Sequence, residues 1–551
     1  MYQYDSIDQT LVDQRVAEYR DQTRRFLAGE LPDDEFRSLR LRNGLYIQRF
    51  SPMLRIAVPY GHLSSKQLRM LGSVARRYSR GSGHFTTRLN LQLNWPKLEE
   101  VPDILADLAS VQMHSIQTSG NCVRNVSSDP LAGVAADEII DPRPYCEILR
   151  QWSTFHPEFN WLPRKFKIAV TGAPTDRAAT EIHDIGLHLK RNAQGELGFE
   201  VLVGGGLGRT PILAKVIRDF LPVRDILTYC ESILRVYNRA GRRDNIHKAR
   251  IKILVKAMGI EAFREAVDAD WHATREFGSQ LSEAEIERAR GYFQPPAYAT
   301  LADIDATAGQ GAEFRAWYRY NTAAHKVPGY RAVFISLKGP RDIPGDISSE
   351  QMEAVADLAD RVSFGEIRVV LNQNLLLAHV RQDQLHTVWQ ELKALGLATP
   401  NLGTLTDMIA CPGLDLCSLA NAGTISVVKQ IQQRFSDFDY LYDIGEIELK
   451  MSGCMNACGH HHVGHIGILG VDKHGEEWYQ ITIGGSAREH SALGEVIGPS
   501  VPQAEVAEIL ERILTVYRDL RQEEERFIDT VRRVGVAPFK ERVYEKTAAA
   551  A

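Results

Sequence analysis

Residues 85–95 read Phe85-Thr86-Thr87-Arg88-Leu89-Asn90-Leu91-Gln92-Leu93-Asn94-Trp95, and residues 369–379 read Val369-Val370-Leu371-Asn372-Gln373-Asn374-Leu375-Leu376-Leu377-Ala378-His379. Followed backwards without a gap, residues 61–95 match 345–379 at a constant offset of 284, with 11 identities in 35 positions. The matches are Gly61, Ser64, Ser65, Gln67, Ala75, Arg77, Ser79, Gly81, Asn90, Leu91 and Leu93. Fainter echoes follow. Val170-Thr171-Gly172 falls on Met451-Ser452-Gly453, Ile185-Gly186 on Ile466-Gly467, and Leu202-Val203-Gly204-Gly205 on Thr482-Ile483-Gly484-Gly485. A period of roughly 280 residues is far too long for a solenoid. The repeat predicts a duplicated α/β unit with approximate two-fold symmetry.

Each copy opens on a β-α-β pattern. Ser64–Arg80 and Ser348–Val362 read as helices opened by serine caps. The alternation in Phe85–Trp95 predicts one strand, with Thr86, Arg88, Asn90, Gln92 and Asn94 on one face and Leu89, Leu91, Leu93 and Trp95 on the other. Val101–Ser110 reads as a second helix, Pro211 to about Arg290 as mostly helical, and Ala504–Arg533 as a terminal helix. The expected segments are a helical arm (1–45), a first half-domain (46–117), a first α/β domain (118–329), a second half-domain (330–402) and a second α/β domain (403–551).

The 551 residues are 44% hydrophobic and 25% charged, with a net charge of −5. This is soluble globular composition, and at about 150 residues per domain it predicts several domains. The balance argues against a nucleic-acid binder. No apolar run reaches about 18 residues, so no membrane span is expected. Met1-Tyr2-Gln3-Tyr4-Asp5 shows no secretory signal. Seven cysteines are too few for a disulfide scaffold, so a reduced, cytoplasmic setting is expected and clustered cysteines read as ligands.

Four of the seven cluster. Cys411 and Cys417 are separated by five residues; Cys454 and Cys458 by three. A helical turn would put the second pair on one face. Four thiolates from two short segments suit zinc or an iron–sulfur cluster, and the five-residue spacing counts against zinc. Cys122, Cys146 and Cys230 are scattered and read as small buried hydrophobes.

Thr406-Asp407-Met408-Ile409-Ala410-Cys411-Pro412-Gly413-Leu414-Asp415-Leu416-Cys417, together with Lys450-Met451-Ser452-Gly453-Cys454-Met455-Asn456-Ala457-Cys458-Gly459, resembles the sirohaem and [4Fe–4S] signature of the sulfite/nitrite reductase haemoprotein family. The resemblance runs from about Arg40 to Ser500. It implies an α+β, internally duplicated, pseudo-two-fold fold of three domains: two ferredoxin-like halves that pair, plus two larger α/β domains. It implies one [4Fe–4S] cluster on Cys411, Cys417, Cys454 and Cys458, and one sirohaem bridged to it by Cys458. By match, Arg55, Arg124, Lys165 and Lys167 are the substrate-binding cations, and Thr86, Arg88 and Gln92 contact the sirohaem edge and carboxylates.

Other readings rest on the residues. Lys165 and Lys167, two apart on a strand, share a face. Arginine forks suit oxyanions; lysine supplies charge and a proton. Val203-Gly204-Gly205-Gly206-Leu207-Gly208-Arg209-Thr210-Pro211 reads as strand, tight turn and helix, with Thr210 as N-cap and Pro211 as first helical residue. It is not a dinucleotide fingerprint, since Arg209 stands where the last glycine would fall. Its N–H groups suit an anion, hence a sirohaem carboxylate once the resemblance is granted. Arg242–Lys256, with six basic residues against one Asp, reads as a solvated helix face, or as a docking patch for an acidic electron donor. His460-His461-His462 and His465 invite a metal reading, but three adjacent histidines cannot all face one ion; polar residues beside the cofactor or at the surface are the plainer reading.

The copies have diverged in complementary ways. Lys165 and Lys167 align with Glu446 and Glu448, Arg88 and Gln92 with Asn372 and Leu376, and Cys454 and Cys458 with Ala173 and Arg177. The first half then supplies cations and the second the cluster, leaving a second cofactor region that is apolar, acidic and vacant. The implied activity is six-electron reduction of sulfite to sulfide in an assimilatory enzyme. Nitrite to ammonia on the same residues, and a non-enzymatic zinc scaffold, are the competing readings. No flavin or nicotinamide fingerprint is apparent, so electrons are expected from ferredoxin or a flavoprotein subunit.

Overall fold

The computed structural model describes residues 1–544 apart from Arg49, Ser51 and Glu489. Two five-stranded sheets form the centre. The first runs Leu45–Ile47, Pro52–Ile56, Leu91–Asn94, Ser82–Phe85 and then Asp346–Ser348, a strand lent by the second half. The second runs Thr322–Ala324, Tyr330–Ile335, Leu375–Arg381, Glu366–Val369 and then His62–Ser64, lent by the first half. The loan is reciprocal and in register. Asp346, Ile347 and Ser348 pair with His84, Gly83 and Ser82; His62, Leu63 and Ser64 pair with Arg368, Ile367 and Glu366.

Each lent strand leads straight into a helix, Ser65–Tyr78 or Ser349–Val362. Ser64 and Ser348 form matching capping boxes with Gln67 and Gln351, as the repeated Ser-Ser-x-Gln predicts. The helices cross closely at Gly72, where a Cβ would lie 3.1 Å from the Ser349 carbonyl. Leu68, Leu71, Val74, Met352, Val355 and Ala359 belong to one core shared by both halves.

The flanking domains repeat one mixed sheet. In the first, Ser127–Ser128, Ile168–Thr171 and Ile185–Arg191 are parallel neighbours, and Leu197–Val203 and Lys215–Pro222 continue antiparallel. In the second, Ile409–Ala410, Leu449–Ser452 and Ile466–Lys473 are parallel, followed antiparallel by Glu476–Ile483 and Glu495–Val496. Each domain has its own core.

Several expectations are corrected. Phe85–Trp95 is a hairpin. Ser82–Phe85 pairs with Leu91–Asn94, and Leu89 between them sits at φ +61° with Thr86 N–H bonded to the Asn90 carbonyl. Thr86, Arg88 and Gln92 therefore do not share one strand face. The glycine-rich turn leads into the strand Lys215–Pro222, so Thr210 caps no helix; a Thr-Pro pair opens extended chain as readily as helix. Helices in that region are Ile226–Ala240, Ile251–Met258, Ile260–Thr274 and Glu283–Gly291. The expected terminal helix is broken into Val506–Leu520 and Phe527–Val534, and Ala537–Tyr544 follows Gly535. The helical arm expected over residues 1–45 consists of two helices, Ser6–Leu27 and Asp33–Arg42.

Candidate active site

The site lies where the first half's hairpin loop, Lys165–Lys167 and glycine turn meet the cysteine loops of the second half. Four contacts join the two halves here. Thr87 Oγ1 donates to the Cys458 carbonyl at 2.8 Å, and His462 Nε2 lies 3.0 Å from the Gly208 carbonyl. Arg209 Nε lies 3.1 Å from Met455 Sδ, and Ser418 N–H donates to Gln48 Oε1 at 3.1 Å.

Cys411 and Gly453 end the parallel strands Ile409–Ala410 and Leu449–Ser452, and the Gly453 N–H donates to Cys411 Sγ at 3.2 Å. Residues 454–458 form a non-helical turn with Ala457 at φ +55°, correcting the expected helical turn. Burial, then the neighbouring Cys458, pushes the Cys411 thiol up to about 12. Burial likewise raises Cys417 and Cys454, with Cys458 adding to both. The four thiols are electrostatic neighbours. Among the described residues, no three Cys, His, Asp or Glu side chains converge on a single ion.

The cations gather opposite. Arg55 Nη2 donates to Gln92 Oε1 at 2.6 Å, while its buried Nε has no partner. Arg124 donates to the carbonyls of Gly120 and Thr118 at 2.8–3.1 Å. Phe166 is fully buried between Lys165 and Lys167, which leaves both lysines on the opposite face. Neither ammonium makes a hydrogen bond among the described residues. Burial, then Arg124 and Arg250, pushes Lys165 down to about 7; burial, then Arg88 and Lys165, holds Lys167 well below the usual lysine value.

Arg88 is pressed down to about 9 by burial and by Arg124. It donates to the Asn125 carbonyl at 2.5 Å and bonds His183 Nε2, whose Nδ1 lies 2.8 Å from the Ala179 carbonyl. His183 is therefore the neutral Nδ1–H tautomer. Thr86 spends its hydroxyl on the N–H groups of Arg88 and Asn90, holding the loop that aims Arg88.

Gly205 is fixed by crowding: a Cβ there would lie 2.3 and 2.4 Å from the Glu181 and His183 carbonyls. Gly204, at φ +85°, and Gly206 flank it.

Sequence reasoning missed five contributors. Thr87, to which the alternation gave no role, is the residue that reaches Cys458. Asp184, fully buried, accepts the Lys167 N–H (2.8 Å) and a bidentate Arg250, through Nε at 3.1 Å and Nη2 at 2.8 Å. Arg250 and Lys252, read as part of a solvated face, are turned inward, Lys252 5% exposed. Tyr46 lies under Arg55, 5.3 Å from ring centroid to guanidinium carbon. Burial raises its phenol, yet Arg124 and Arg55 bring it below the usual tyrosine value.

His460 and His461 are buried. Burial, then Lys167, holds His460 well below the usual histidine value, and both ring nitrogens of His461 lack partners. His465 Nδ1 accepts the Glu448 N–H at 3.1 Å.

The symmetry-related region is also corrected. It is filled with paired charge: Lys338 bonds Asp407 at 2.6 Å, Lys450 bonds Glu448 at 2.6 Å, and Arg488 reaches Glu448 at 3.2 Å.

The sequence matches models of two families: the nitrite and sulphite reductase 4Fe-4S domain over residues 119–274 and 403–550, and the nitrite/sulfite reductase ferredoxin-like half domain over 50–111 and 325–395. Sulfite reductase [ferredoxin] 2 of Mycolicibacterium paratuberculosis is 30% identical over 488 residues, covering 86% of this chain and 81% of its own. A chloroplastic ferredoxin–nitrite reductase of Arabidopsis thaliana is 29% identical, covering 84% and 75%. The structure of the Mycobacterium tuberculosis NirA protein superposes with a TM-score of 0.77 at 26% identity, covering 93% of this chain and 92% of that one. The chain is an oxidoreductase that belongs to the nitrite and sulphite reductase family.

Proposed function

We propose that the protein is an assimilatory reductase of the cytoplasm that takes sulfite to sulfide by six-electron transfer, using one sirohaem and one [4Fe–4S] cluster. The observation that carries this reading is the gathering of Arg55, Arg88, Arg124, Arg164, Lys165, Lys167 and Arg250 against one buried counter-ion, Asp184. Such an excess of desolvated cations needs anions to neutralise it. A polycarboxylate tetrapyrrole and an oxyanion substrate fit, as do the unpartnered Lys165 and Lys167 ammoniums and the orphaned Arg55 Nε. The five residues between Cys411 and Cys417 suit an iron–sulfur cluster better than zinc.

When bound, the cluster and sirohaem supply the electrons and the substrate-ligating iron. Cys411, Cys417, Cys454 and Cys458 would hold the cluster, with Cys458 shared between the two groups. The chain's own residues do the rest. Arg55 and Arg124 orient the oxyanion, and Lys165 and Lys167 neutralise and protonate the departing oxygens. Ferredoxin is the proposed electron donor, in keeping with the names of the relatives.

Nitrite to ammonia is the second reading, favoured by the relative named a nitrite reductase. Viologen-driven steady-state kinetics on one preparation, comparing kcat/KM for sulfite and nitrite, ranks the two. Purified protein with no Soret or red-region bands, and with zinc in place of iron, would overturn both.

A further inference from the structure

The duplication provides an internal control for the glycine-rich turn. The helices Ile251–Met258 and Phe527–Val534 are equivalent. Each is eight residues long, preceded by an arginine (Arg250, Arg526) and ended by a glycine at positive φ (Gly259, Gly535). Val255 packs 3.2 Å from where a Cβ on Gly204 would be, and Val531 packs 3.3 Å from the same point on Gly484. At this constant offset of 276, Lys252 corresponds to Ile528. The two copies of the turn thus rest on equivalent helices, one of which has a lysine where the other has a buried apolar side chain.

Lys252 donates to three carbonyls of its turn: Gly206 at 3.1 Å, Leu207 at 2.8 Å and Thr210 at 2.5 Å. A buried ammonium has three donors, and here all three are used. With its carbonyls tied back, the turn leaves the N–H groups of Leu207, Gly208, Arg209 and Thr210 without a partner among the described residues. The second copy differs at this point too. Ser486 replaces Gly206, and its hydroxyl accepts the N–H of Arg488, the counterpart of Gly208. The second turn thus ties down one N–H with its own serine, whereas Gly206 offers the first turn no such acceptor, and the first turn sits on the cationic side of the molecule.

We propose that Lys252 is a positioning residue that pulls the carbonyls of residues 206–210 to one side, so that the N–H groups form a cradle for a carboxylate of the bound tetrapyrrole. Successive N–H groups held in one concavity bind anions. The proposal rests on the sirohaem reading above, and it assigns Lys252 to the turn and not to the ligand.

The test is Lys252→Met in the holoenzyme, prepared beside the unaltered protein. Amide exchange across 204–210 is expected to speed up about tenfold or more, the scale of losing charge-assisted hydrogen bonds. Sirohaem retained through gel filtration should fall about fivefold or more by absorbance, while cluster iron and sulfide stay at the unaltered level. Unchanged exchange with full sirohaem overturns the proposal. Sirohaem loss with unchanged exchange overturns it as well, because Lys252 then acts on the ligand directly. If the methionine variant does not fold, the same two readouts on Lys252→Gln decide. The sirohaem content of the unaltered protein judges the cofactor reading by itself, and the exchange of 204–210 judges the lysine's role.

Discussion

At the scale of single residues, the site is a set of charges the fold keeps dry and close. Removing Lys165 or Arg124 by Lys165→Ala or Arg124→Ala should lower kcat/KM for sulfite about 100-fold or more, since the proposed mechanism has each supply charge where oxygen charge develops. Retention of full turnover would sink the pocket. Lys165 also carries a signature of stability against pH. In protein stripped of its cofactors its proton leaves near pH 7, whereas the unfolded chain keeps it into the ordinary lysine range. Between those limits the unfolded state binds more protons, so stability rises with pH from about 7 towards 10, and Lys165→Met flattens the rise. Thermal melts at two pH values read this directly. The cysteine cluster was legible in the sequence because side-chain type and spacing carry it, whereas Arg55, Arg124, Lys165 and Lys167 were singled out only by the family resemblance. Thr87, Asp184, Arg250 and Lys252 were not. Their roles depend on a turn at Leu89 and on a loop-to-helix return from residue 250, and neither leaves a periodicity.

At the scale of elements, the lent strands are the decisive feature. Ile347 is almost fully buried in the first half's sheet although it lies in the second half of the chain. Ile347→Ala should cost about 2–4 kcal/mol, as for other buried large-to-small changes, and should loosen residues 82–94 more than residues 366–381. Leu63→Ala should do the reverse. Denaturant melts give the cost, and peptide-resolved amide exchange gives the location. The sequence reported the helices well, because Ser64 and Ser348 announce capping boxes. It misreported Phe85–Trp95, because alternation of polar and apolar residues continues across a tight hairpin loop when the loop's own polar groups, such as Thr86, are busy with its backbone.

At the scale of the molecule, the proposed reading gives the duplicated chain one chemistry. The related region that lacks the cysteines is packed with its own ion pairs, Lys338–Asp407 and Lys450–Glu448 among them. One sirohaem and one cluster per chain are the expected stoichiometry, read by pyridine haemochrome and by iron and sulfide assay; two sirohaems per chain would overturn the division of labour. The offset of 284 was visible from the start and gave the symmetry. The exchange of strands was not, since a three-residue strand pairs equally well by pattern with either sheet.

That exchange sets a timetable for synthesis. The sheet built on Pro52–Ile56 and Leu91–Asn94 cannot gain its last strand until residue 348 has left the ribosome. His62–Ser64 must wait for Glu366–Val369. For some 280 residues of translation, the nascent first half carries an open sheet edge and an idle strand. Such edges invite pairing with other chains. Slowing elongation between residues 95 and 345 should therefore lower the soluble yield, and a chain with codons chosen for speed in that stretch should recover it.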